Sequence, residues 1–184
     1  PLAAYALAPW LGSRYGKVGG ATAGVLLNMA IYPLPYLLVL AGFWPELGSW
    51  SSLYLYAFVT VSEVTFNIVG AVLLDSMMAD VVEDSEVSTR RRSEGLFYAA
   101  RGFAGKAVSA GGIVGAGTIV SMVGLDSIGS VSEMTDAVRQ DIALMFLPAY
   151  CGLHIAALAC LAKYRISREG HDANLNQLGR PPSP

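Results

Sequence analysis

Charge is scarce in this 184-residue sequence and unevenly spread: Lys, Arg, Asp and Glu make up 14% of it, 12 basic and 14 acidic. None of the four occurs in residues 18–45, 107–125 or 142–162. Runs of this length exclude an ordinary soluble domain and read as membrane spans, each of which takes about 20 apolar residues. Cysteine is nearly absent. Cys151 and Cys160 share one apolar run at a spacing that suits neither a metal knuckle nor a disulfide framework, so both read as small packing or lipid-facing residues. The net charge of −2 offers no basic footprint for nucleic acid. No secretory leader is recognisable: the chain opens at Pro1, without Met, directly in apolar sequence, and reads as a fragment cut inside a helix.

What the sequence has instead is apolar bulk. With Gly included and Tyr left out, apolar residues make up about 60% of the chain, against about 45–50% in soluble domains. The expected fold class is all-α, a polytopic transmembrane helix bundle. The pattern offers a truncated helix at 1–11, a short basic loop at 12–17, and spans at 18–43, 52–78, 95–123 and 140–162. Between them lie a hydrophilic loop at 79–94, a polar linker at 124–139 and a polar tail at 163–184 whose Pro-Pro-Ser-Pro end reads as disordered. Trp44 and Trp50 suit a membrane interface. Pro33 and Pro35 interrupt the backbone ladder of the 18–43 span and predict a kink there.

The basic residues set the orientation. Arg14, Lys17, Arg90, Arg91, Arg92, Lys163, Arg165, Arg168 and Arg180 all fall on one side of the alternating spans, whereas the opposite loops hold Arg139. The positive-inside rule assigns the first group, and with it the C-terminus, to the cytoplasm.

Ionisable residues at bilayer depth are costly, about 2.5–3.5 kcal/mol on insertion scales, and are candidate functional sites by default. Glu63 and Lys106 each lie about 16 Å into their spans at 1.5 Å per residue, near the middle of a hydrocarbon core about 30 Å thick. The two spans run in opposite directions, so the expectation is an ion pair or a shared polar cavity. The competing reading is that these charges only set helix register. Asn67, one turn from Glu63, adds a neutral hydrogen-bonding group to the same face. Arg101 is shallower and can snorkel, and His154 reads as a packing histidine. Gly20 with Gly24, and Ala107 with Gly111 and Gly115, stand at the spacing of four that permits close helix approach. No metal-ligating set, Ser/His dyad or carboxylate pair at catalytic spacing occurs in the spans, so no enzyme activity and no metal or organic cofactor is expected.

The stretch with the most specific pattern spans the hydrophilic loop and its flanks. Ala79, Asp80, Val82, Glu83 and Glu86, then Thr89, Arg92, Glu94, Gly95, Tyr98 and Lys106, resemble the signature of the glycoside-pentoside-hexuronide:cation symporters, the melibiose-permease-like branch of the major facilitator superfamily. That pattern has a Gly after the Thr, where this chain has Arg90. Tyr15-Gly16-Lys17, Leu147-Pro148-Ala149, Tyr164, Glu169, Gly170 and His171 extend the likeness over most of the chain. The resemblance implies part of the C-terminal six-helix half of a major facilitator fold, in a multi-pass protein of the plasma membrane (the inner membrane of a bacterium). It further implies symport of a sugar or glycoside with Na⁺ or H⁺ by alternating access, with the N-terminal half of the same chain and membrane lipid as partners. A different solute, such as a lysolipid or organic anion, and a non-transporting scaffold or sensor are the alternatives. By the same resemblance Lys106 belongs to the central cavity. Asp80, Glu83 and Glu86, with Arg92 and Glu94, would close the cytoplasmic side through ion pairs to Arg90, Arg91 and Arg92. The plainer reading is that the arginines set topology and the acids solvate the loop.

Overall fold

The computed structural model describes residues 2–46, 48–129 and 134–180. Part of the expected 124–139 linker, 130–133, and the Pro-rich tail end, 181–184, lie outside the described residues. Every regular element among the described residues is helical: α1 (Leu2–Ile31), α2 (Leu34–Leu40), α3 (Trp50–Thr89), α4 (Glu94–Met122), α5 (Asp136–Leu161) and α6 (Arg168–Gln177), with a 3-10 turn at Leu125–Ser127. The fold class is therefore all-α, and four segments are long and apolar enough to cross a membrane: Leu2–Leu40, Trp50–Thr89, Glu94–Met122 and Asp136–Leu161.

Glycine turns the first of these segments back on itself. Gly16 has φ 74° and ψ 165°, a backbone region essentially restricted to glycine, and the helix is interrupted there. A Cβ on Gly20 would stand 3.1 Å from the Leu11 carbonyl carbon. In a straight helix these two positions would be about 13 Å apart along the axis. The two arms of α1 consequently form a hairpin whose turn coincides with the short basic loop at 12–17. Downstream, the ladder stops before Pro33, which has no N–H to donate, and restarts as α2 with Pro35 in its first turn.

Small side chains make the core. Ala4, Ala8 and Leu11 from the first arm, Ala21 from the second, and Val69 and Leu73 from α3 form one buried cluster. Gly20 and Gly24 let α3 approach closely, with Leu73 and Val69 packed over them. Large apolar residues such as Phe58, Phe103, Ile113 and Leu153 face outward instead. This is the distribution expected where lipid replaces water, because tails solvate Leu and Phe and helices associate through small residues. The second glycine stripe is different: among the described residues nothing lies within 4 Å of a Cβ placed on Gly111 or Gly115, and α4 buries none of its residues.

At 40 residues α3 is about 60 Å long, roughly twice the hydrocarbon thickness. The segment 79–89, which the hydrophilic pattern reads as loop, continues this helix. Polarity marks where the chain leaves the lipid but does not end a helix, and no Gly or Pro occurs from 71 to 94 to break it. The helix stops at Arg90, in the left-handed conformation with φ 53°, whose N–H donates to the Glu86 carbonyl. The polar tail likewise contains α6. Ser167 caps its start, and Gly179 (φ 67°) closes its end in the arrangement where the N–H of Gly179 donates to Asn176 and that of Arg180 to Leu175.

Candidate functional site

At the end of the bundle where α3 projects, three other parts of the chain converge on one of its carboxylates. Asp80 is 3% exposed. Lys17, which follows the Gly16 turn, donates from Nζ to Asp80 Oδ1 at 2.6 Å and to Oδ2 at 2.8 Å. Tyr164, just beyond α5, donates its hydroxyl to Oδ2 at 2.9 Å. His171, from α6, brings Nδ1 to 3.3 Å from Oδ1. Burial, and then the bond to the Asp80 carboxylate, hold the Tyr164 phenol well above its ordinary range, so it remains a donor.

The next turns of α3 extend the cluster. Glu83 Oε2 lies 3.1 Å from His171 Nδ1, and its Oε1 lies 3.8 Å from the Arg180 guanidinium. Arg180 also donates to both oxygens of Glu86, at 3.0 and 3.1 Å, and Asn174 donates to Asp84 at 3.0 Å. Positions 80, 83 and 84 share a face at helical spacing, and 86 adjoins it. Leu175, buried at 6% exposure, supplies the apolar anchor of α6, and the Gly179 turn aims Arg180 back at α3.

Asp80, Glu83 and Glu86 are thus brought together, but not with the arginines that the hydrophilic loop suggested. Arg92 pairs locally with Glu94 at 2.8 Å, both side chains about half exposed. Arg90 to Arg92 follow the left-handed stop of α3, whereas Lys17, His171 and Arg180 are packed against it. Sequence reading placed Lys17 and Arg180 in the topology count and His171 in a tail likeness. A local signal for α6 was present in its caps and in the spacing of His171, Leu175 and Leu178.

The mid-membrane charges are arranged otherwise than expected. Glu63 Oε1 accepts from Asn67 Nδ2 at 2.6 Å, within its own helix. Lys106 is exposed and makes no hydrogen bond or ion pair among the described residues. Glu63 and Lys106 form no ion pair among the described residues. What joins these helices is Arg101 to Asp75, at 2.6 Å. Arg101 therefore has a specific carboxylate partner on α3.

Towards the other end, α1, α2 and α5 meet through aromatic rings. Tyr150 donates to Asn28 Oδ1 at 2.6 Å and stacks on Tyr32, while Tyr36 stacks on Phe146 with centroids 4.8 Å apart. His154 stands against the Tyr150 ring, with Nδ1 2.9 Å from the Tyr150 carbonyl, as a packing histidine would. Beside this stack lies a cavity of about 370 Å³, walled by Tyr32, Tyr36, Trp44, Tyr56, Thr60 and Arg139 among others. Arg139 Nε is buried there without a hydrogen-bond partner. Aromatic walls with a few polar groups are the usual make-up of a small-molecule pocket.

A family model described as MFS/sugar transport protein matches residues 2–168. The chain belongs to that family. It is therefore a membrane protein of the major facilitator superfamily, and its apolar helices are those of a transporter. No curated protein and no solved structure gives a significant match to this MFS transport protein. The match embraces Lys17, Glu63, Asp80, Lys106 and Tyr164, and ends at the start of α6, so His171 and Arg180 lie beyond it.

Proposed function

We propose that this family member is part of a secondary active transporter of the melibiose-permease-like branch, carrying a sugar or glycoside together with Na⁺ or H⁺ by alternating access. The observation that carries the sugar-class reading is the aromatic-walled cavity of about 370 Å³ between α2, α3 and α5. Stacked rings cover the apolar faces of a sugar, while Thr60 and Arg139 offer hydrogen bonds to its hydroxyls. Glu63 and Asn67, one turn and two turns further along α3, are the candidates for the coupling ion. Lys106 would complete the central site once the other half of the transporter packs against α4, whose bare glycine face suits a close helix contact.

The Asp80 cluster would then serve as the cytoplasmic gate in a plasma-membrane protein with a cytoplasmic C-terminus. Lys17, Tyr164 and Arg180 reach α3 from separate elements of this same half, so their charge-assisted bonds would hold the cytoplasmic ends of these helices as one body that closes against, and parts from, the other half. The reading requires no covalent chemistry. Uptake of a radiolabelled galactoside by the whole transporter tests it. Accumulation should collapse when both the Na⁺ and the H⁺ gradients are abolished, and should be lost in Tyr36→Ala, Glu63→Gln and Lys106→Ala. Accumulation that survives without either gradient would refute coupling.

Arg139 favours one second reading. Its Nη1 is paired with Asp136 at 2.9 Å, but its buried Nε in the cavity wall has no partner and would donate to an anionic solute; uptake of an organic anion in place of any neutral sugar would decide for it.

A further inference from the structure

His171 poses a question that ion pairing does not answer. Its side chain is nine-tenths buried, 10% exposed, and its Nδ1 has no hydrogen-bond partner although two carboxylate oxygens lie within 3.3 Å. Glu83 Oε2, one of those oxygens, is itself buried and unpartnered. Three donor atoms, from Asp80, Glu83 and His171, all fall within 4.8 Å of one another.

These separations have a simple geometric meaning. Two ligand atoms bound at about 2.0–2.2 Å to one ion stand about 2.8–3.1 Å apart at octahedral angles and about 3.3–3.6 Å apart at tetrahedral ones. The observed edges from Nδ1 are 3.1 Å to Glu83 and 3.3 Å to Asp80. We propose that Asp80, Glu83 and His171 form a binding site for a divalent first-row transition cation of the zinc type, which fastens α6 to α3.

The donor set selects the class. One imidazole nitrogen with two carboxylates suits zinc and its neighbours, whereas magnesium and calcium prefer oxygen alone. Charge is also in favour. Among the described side chains around the site, Asp80, Glu83 and Glu86 face Lys17 and Arg180, and Asp84 is met by the neutral Asn174, so carboxylates outnumber fixed cations there. The ion would share Asp80 Oδ1 with Lys17, while Oδ2 keeps both its 2.8 Å bond from Lys17 and its 2.9 Å bond from Tyr164. Sequence spacing conceals the site because two ligands come from α3 and the third from the tail.

Binding of the metal is read without any transport, so its failure and that of the symport reading are separate results. ZnCl₂ titrated calorimetrically into the metal-free, detergent-solubilised chain should show one saturable site. His171→Ala and Glu83→Gln should each weaken it at least about tenfold, while His154→Ala leaves it intact. X-ray absorption at the zinc edge of the unmodified chain should show one histidine nitrogen with oxygen ligands, a result that does not depend on any variant folding. Absence of saturable zinc binding, an absorption spectrum without histidine, or full affinity in a folded His171→Ala variant would overturn the proposal.

Discussion

Lys17 Nζ donates to both oxygens of Asp80, at 2.6 and 2.8 Å, across 63 residues of sequence. The bond ties the start of the second arm of α1 to the part of α3 that projects beyond the core. Asp80 is almost wholly buried and Lys17 about one-third exposed, so the two partners are not equivalent.

That asymmetry predicts the outcome of a double-mutant cycle. Lys17→Met leaves a buried carboxylate with Tyr164 as its main neutral donor, and should cost about 3 kcal/mol in unfolding measured in detergent. Asp80→Asn should cost less, because the exposed Lys17 head can return to water. The double variant should recover at least about 1 kcal/mol relative to the sum of the singles. Strict additivity would show that the two side chains do not stabilise each other.

Besides His171 and Asn174, the tail helix is held by the buried Leu175 and by the Arg180 guanidinium. Arg180→Ala removes the bonds to Glu86 and the approach to Glu83, and Leu175→Ala removes the buried anchor. Hydrogen exchange of 168–177 should accelerate at least about tenfold in either variant, corresponding to about 1.4 kcal/mol of docking, with exchange in the Ala4 to Leu73 core unchanged. Equal acceleration in both regions would mean that α6 is part of one cooperative unit with the core.

Glycine at 16 and 20 has two distinct roles, and alanine should distinguish them. Gly16→Ala forces a side chain into the backbone region at φ 74° and ψ 165° and should destabilise by about 1–3 kcal/mol without any steric contact. At Gly20 the backbone is helical and a Cβ meets Leu11 carbonyl carbon and Leu73 at 3.1 Å, so the cost comes from parting the arms. Thermal unfolding in detergent should show a larger loss for Gly20→Val than for Gly20→Ala, whereas the loss in Gly16→Ala comes from the backbone alone.

Arg90 is a replaceable cost. It sits at φ 53°, where glycine is at ease and a side chain is strained by about 1–2 kcal/mol. Arg90→Gly should raise stability by about 1 kcal/mol in thermal unfolding, with the Arg92 to Glu94 pair unaffected. A loss of stability would mean that the Arg90 side chain contributes more than its backbone costs.

Several of these features were legible in the residues. Pro33 and Pro35 announce the break between α1 and α2, since two missing N–H groups in one turn interrupt the ladder, whereas the single Pro9 and Pro148 lie inside α1 and α5. Gly20 and Gly24 announce close packing, although the same spacing at Gly111 and Gly115 has no partner here. Spacing reveals what a face permits, and only a neighbouring helix decides whether it is used. The departure of Glu63 from Lys106 has the same origin. Equal depth follows from counting residues, whereas lateral distance between α3 and α4 does not.

By itself the sequence determined that this is an all-α membrane protein, because bilayer insertion depends on the length of uncharged runs, and length is a property of the chain alone. It also determined that the backbone ladder breaks at Pro33 and Pro35, whereas Gly16 and Gly179 permit their turns without dictating them, as the helical Gly70 and Gly111 show. Which charges meet was decided by tertiary structure. Asp80 finds Lys17, Tyr164 and His171, and Glu86 finds Arg180, since ion pairs and hydrogen bonds act over about 3 Å and their partners come from elements far apart in sequence. The hairpin of α1 and the docking of α6 close those distances.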